Sequence, residues 1–192
     1  PQQSSGQKLR IVSDESVAGY WMGGSTSSAV LFYVTEEVEV FKTPLTGNSE
    51  RVTQGIITPV RAVQATKDGR VALIESGHQH APQFTLFFAD TNLLQVLPLS
   101  TATSFSPNGK QVAYIDSNGA ITVRDLSAKT LTTRKAGVFP HYDATMRWIR
   151  TNTLAFLSRP SAHTKGELWE FDLQTKNIKL LDSGLGLINT WS

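Results

Sequence analysis

The sequence predicts an all-β fold made of repeated four-stranded antiparallel units, and three observations lead to it. A short apolar segment centred on a small or apolar residue recurs at Leu31, Ala72, Ala113 and Ala155, in steps of 41, 41 and 42 residues. Turn signals at Asp68-Gly69, Asn108-Gly109 and Asn118-Gly119 separate apolar runs and supply the positive φ that a tight hairpin needs. No stretch carries the 3.6-residue apolar period of an amphipathic helix.

The first unit, residues 13–54, is the most diverged, with strands expected at 18–22, 29–34, 38–41 and 51–53. In the second, 58–98, a strand at 60–65 turns through Lys67-Asp68-Gly69-Arg70 into 71–75; strands at 84–90 and 93–97 follow. The third, 99–136, has the clearest plan: 101–105, a turn at Pro107-Asn108-Gly109-Lys110, 111–115, a hairpin at Ser117-Asn118-Gly119, 120–125, and an outer strand at 131–134. Ile121 and Val123 alternate there with Thr122 and Arg124, the period-2 pattern of a half-buried strand. The fourth, 143–182, reads as 146–149, 153–158, 168–172 and 178–181. Two leftover segments, 8–12 and 185–191, have strand character and are expected to pair into a further unit.

A repeat of about 40–45 residues holding four strands is that of a propeller blade. The expected fold is therefore a β-propeller or partial propeller of four to five four-stranded antiparallel blades, a single domain over 1–192. A meander has two apolar faces and hides neither alone. Stacking blades would bury Phe32, Tyr114, Phe156, Trp169 and Phe171 between neighbours, at roughly 1.5–3 kcal/mol for each large side chain.

Composition narrows the function classes. Eighteen basic and sixteen acidic residues leave a formal charge of +2, and the basic residues are scattered, so nucleic acid is not an expected partner. With no cysteine, disulfides and thiolate metal sites are excluded. The longest apolar run, 29–34, is too short to cross a bilayer, so no membrane insertion is expected. The polar start without Met reads as a processed or trimmed end.

The stretch Phe105-Ser106-Pro107-Asn108-Gly109-Lys110-Gln111-Val112-Ala113-Tyr114 resembles the repeat of TolB-like (PD40, WD40-like) β-propellers. Ile121-Thr122-Val123-Arg124-Asp125-Leu126 continues the pattern and Leu168-Trp169-Glu170-Phe171-Asp172-Leu173 echoes it. The resemblance implies a non-enzymatic module that binds protein in the bacterial envelope or outside the cell. It also implies an alternative, the gating propeller of a prolyl-oligopeptidase-like serine peptidase. Six such blades would need roughly 250 residues, more than the 192 present. Either a small ring, an arc of a larger one, or a ring shared between chains is expected. The leftover end strands motivate a third reading, a structural subunit of a surface filament or layer.

Candidate functional residues cluster in loops. His78 and His80 lie in the connection between the second and third strands of the second unit, and His163 in the matching connection of the fourth. His141, Tyr142 and Asp143 lie just before the fourth unit. Propeller topology sends both kinds of connection to one face. Two of these connections are also long: from the central alanine to the closing aspartate takes 18 residues in the second unit and 17 in the fourth, against 12 in the third. Extra loop length on a rigid scaffold points to a working face. His-x-His with nearby His and Asp has the chemistry to hold zinc or nickel, but loop histidines serving protein contact are the reading adopted, with no metal, cofactor or small-molecule ligand. No Gly-x-Ser-x-Gly elbow or cysteine nucleophile is present, and no catalytic residue is assigned. The expected partner is another protein or further copies of this chain.

Overall fold

A computed structural model describes residues 10–24, 29–36, 39–53, 59–78, 81–126, 133–140, 144–158 and 165–184. Its sixteen described strands form four antiparallel sheets, each a meander in chain order. Sheet I holds β1 (Val17–Gly23), β2 (Val30–Thr35), β3 (Val40–Pro44) and β4 (Glu50–Thr53). Sheet II holds β5 (Val60–Ala65), β6 (Val71–His78), β7 (Ala81–Phe88) and β8 (Leu93–Val96). Sheet III holds β9 (Ser100–Phe105), β10 (Gln111–Asp116), β11 (Ala120–Asp125) and β12 (Thr133–Val138). Sheet IV holds β13 (Ala144–Arg150), β14 (Thr153–Ser158), β15 (Gly166–Asp172) and β16 (Ile178–Gly184).

Two turns show how local chemistry starts each hairpin. In sheet II the Thr66 hydroxyl donates to Asp68 Oδ1 at 2.7 Å and accepts from the Val71 amide at 3.1 Å, while Asp68 Oδ1 also accepts from the Arg70 amide. Sheet III repeats this network with Ser106, Asn108, Lys110 and Gln111. Gly69 and Gly109 take φ of +66° and +69° at the same place in the two turns.

The sheets stack in order, each burying one face on the next. Between I and II, Trp21, Phe32 and Phe87 form a three-ring cluster with centroids 5.3–5.7 Å apart, joined by Val34, Val40, Ala72 and Ile74. Between II and III lie Val71, Leu73, Phe84 and Leu86 against Phe105, Val112 and Tyr114. Between III and IV, Phe139 stacks on Phe156 at 4.3 Å among Ile115, Ile121, Met146, Leu154 and Phe171. Among the described residues no buried cluster joins IV back to I. The first strands line one another closely. The Trp148 amide donates to Ser104 Oγ at 2.9 Å, and a Cβ on Gly19 would lie 2.5 Å from Val63 Cγ2.

Strand pairing corrects the phase of the repeat. Ala65 pairs with Ala72, Phe105 with Val112, and Trp148 with Leu154, and each pair faces the preceding sheet. Met22 and Leu31 hold that place in sheet I. The equivalent residues are thus Leu31, Ala72, Val112 and Leu154. Ala113 and Ala155 sit one residue further on and point to the opposite face, because a strand alternates faces at every residue. The recurring alanines mark the right strand in each sheet but two different faces.

Other expected boundaries shift as well. The third strand of sheet I runs over Val40–Pro44, residue 38 lying outside the described residues, and the outer strand of sheet III runs over Thr133–Val138. Arg10 to Val12, the described part of the leftover segment 8–12, pairs with no strand and lies over sheet I. Residues 8, 9 and 185–191 are outside the described residues.

Candidate functional site

His78 is exposed as the last residue of β6 and pairs in register with Ala81 at the start of β7. The extra residues between Ala72 and Asp90 are therefore spent largely on a longer two-stranded ribbon. β6 and β7 run eight residues each, against six for β10 and β11. Gly77, at φ +83°, lets the ribbon turn there; an added Cβ would meet the Ala81 carbonyl at 3.2 Å. The ribbon leaves sheet II at the end where each sheet's second strand finishes and its first strand begins. The other expected site residues, His80, His141, Tyr142, Asp143 and His163, lie outside the described residues. Among the described residues no group of three or more His, Asp or Glu could hold a metal ion, and no helix is long and apolar enough to cross a membrane.

A second feature, which the sequence reading did not single out, is on the outer face of sheet I. Tyr20, Tyr33 and Phe41 lie in one cross-strand row there, with the Tyr33 and Phe41 rings stacked at 5.1 Å. Residues 10–15 pass over this row. Val12 O accepts from Tyr33 Oη at 3.1 Å and from Ser49 Oγ at 2.7 Å, and Arg10 Nη1 donates to Leu45 O at 3.3 Å. Ser13 bends the segment by accepting from the Glu15 amide at 3.1 Å. A cleft of about 320 Å³ remains, lined by residues 10–15 with Tyr33, Phe41, Asn48 and Ser49. The available signal was the tyrosine and phenylalanine at matching positions of adjacent strands, which is visible only once their register is known.

Buried polar groups are concentrated between sheets II and III. Gln95 Oε1 and Arg124 Nε are buried there without hydrogen-bond partners among the described residues, one on each side of the same interface by register. Burial pulls the Arg124 guanidinium below its ordinary value, an effect partly offset by Tyr114.

No family model matches the sequence, and no curated protein does. The structure is similar to that of U3-55K, at a TM-score of 0.55 and 10% identity over 89% of this chain and 54% of that one. It is similar to Kuenenia stuttgartiensis hydrazine synthase at 0.53 and 15% identity, over 92% of this chain and 51% of that one. The fold is that of a β-propeller or part of one. TolB from Acinetobacter baumannii matches at 0.47 and 17% identity, over 80% of this chain and 41% of that one. The chain thus spans about half the length of these proteins or less, and at such identities the likeness is one of fold alone.

Proposed function

We propose that this propeller module recognises protein without catalysing a reaction, through the end of the sheets that carries His78. The proposal includes His80, His141, Tyr142, Asp143 and His163, which the sequence assigns to connections at that end. An envelope or extracellular setting, implied by the resemblance to TolB-like repeats, is part of the proposal. The observation that carries the reading is the β6–β7 ribbon. It prolongs one hairpin beyond the length its neighbours use and ends in an exposed histidine. Packing does not require that extension, and rigid ribbons presenting polar tips are suited to recognition.

The test is a photo-crosslinking residue placed at His78, compared with one at Lys67 in the turn at the opposite end of sheet II. A discrete protein adduct from position 78 alone, lost when His80 and His163 are changed to alanine in a still-folded chain, is the expected outcome. Equal labelling from both ends, or none from position 78, removes this end as the working surface.

A further inference from the structure

Each of sheets II, III and IV buries a residue of its second strand against the sheet before it: Ile74, Tyr114 and Phe156, exposed by 0%, 5% and 0%. The equivalent in sheet I is Tyr33, two residues beyond Leu31 as Ile74 is two beyond Ala72. No sheet precedes it among the described residues, yet Tyr33 is only 3% exposed. Residues 10–15 supply the cover. We propose that Arg10–Ser16 is a displaceable strap that occupies the place of a neighbouring sheet on the first end face and controls access to it. This is independent of the ribbon surface.

Three features distinguish a strap from an integral strand. Arg10–Ser16 adopts no strand, and it is held by a few scattered hydrogen bonds: Val12 O accepts from Tyr33 Oη on β2 and from Ser49 Oγ just before β4, Arg10 Nη1 donates to Leu45 O, and Ser16 O accepts from the Glu36 amide. Its fit is incomplete, since a cleft stays open beneath it and Ile11 is 81% exposed. The row it covers is continuous with apolar surface it leaves bare, Tyr20 at 71% and Met22 at 48% exposed. Met22 stands where Ala65, Phe105 and Trp148 pack against a preceding sheet. At the other end of the stack, the outward face of sheet IV carries the row Arg147, Ala155, Glu170, Lys179 beside the row Thr145, Leu157, Leu168. Among the described residues, the first end face is the one over which a non-strand segment is laid.

The test removes both side-chain hydrogen bonds to Val12 O: Tyr33→Phe combined with Ser49→Ala, followed by hydrogen-exchange mass spectrometry. Amides of residues 11–16 should exchange at least about tenfold faster, while those of β6, β10 and β14 keep their protection. Unchanged exchange at 11–16 overturns the proposal. Should the double variant lose protection throughout sheet I, a chain lacking residues 1–15 decides, since it keeps both hydroxyls. Retained protection of β1–β4 with new binding of an apolar dye supports a strap. Loss of sheet I makes the segment an integral part of that sheet, and a folded chain with no new dye binding leaves nothing for a strap to cover; either result overturns the proposal.

Discussion

At the scale of single residues, the paired turns of sheets II and III separate backbone strain from collision. Gly69 and Gly109 share a φ near +66° to +69°, so alanine at either costs about 1–2 kcal/mol for the left-handed backbone. Only at Gly69 would the added Cβ also strike main chain, 1.8 Å from the Met22 carbonyl oxygen; at Gly109 the nearest atom is Thr66 Cβ at 3.2 Å. In urea unfolding, Gly69→Ala should therefore lose clearly more stability than Gly109→Ala. A second contrast is electrostatic. Burial raises the Asp68 carboxyl, but the Thr66 hydroxyl, the Arg70 amide and the Arg70 charge outweigh it and hold the group below its ordinary 3.8. Its stabilisation is thus present above the unfolded value and lost as pH falls through the folded one. Asn108 fills the same place in sheet III without titrating. Asp68→Asn should flatten the acid limb of the stability profile below about pH 4, by less than about 1 kcal/mol at this exposed position.

At the scale of elements, Phe87 ties β7 to both aromatic partners of sheet I. Phe87→Ala should cost about 3–5 kcal/mol, read from chemical unfolding. Arg124→Met should raise the stability read from urea unfolding by about 1 kcal/mol, because it removes a buried polar group whose Nε lacks a partner among the described residues. These elements also show what was legible beforehand. Turn chemistry at Asp68-Gly69 and Asn108-Gly109 placed β5–β6 and β9–β10 closely, since such turns are specified by a few adjacent residues. The face each strand presents was not legible. Ala72 and Ala113 look alike, yet Thr66 and Ser106 begin their turns 40 residues apart while the alanines are 41 apart, and one residue reverses the face. The ribbon was taken for loop because Ser76-Gly77-His78 has little strand propensity, and cross-strand pairing decides its conformation. Of the candidate contact residues, His78 alone is placed, and its exposure fits a tip position. The strap was hidden for a different reason: hydrogen bonds from Tyr33 and Ser49 to one carbonyl leave no periodic signature.

At the scale of the molecule, stability in such a stack is approximately a sum over sheets and their nearest-neighbour interfaces. Sheets II and III are covered on both faces by other sheets, whereas I and IV each have one sheet neighbour among the described residues. Native-state hydrogen exchange should find the slowest amides in β6 and β10, with β16, exposed along nearly all its length, opening first. Uniform protection across the four sheets would mean that the stack unfolds only as a whole. The two outward faces have a consequence for how such a chain can be lengthened. A sheet laid on sheet IV would have to accommodate the charges of Arg147, Glu170 and Lys179 beside Leu157 and Leu168, whereas one laid on sheet I would meet the exposed Tyr20 and Met22 and would have to displace residues 10–15 to reach Tyr33.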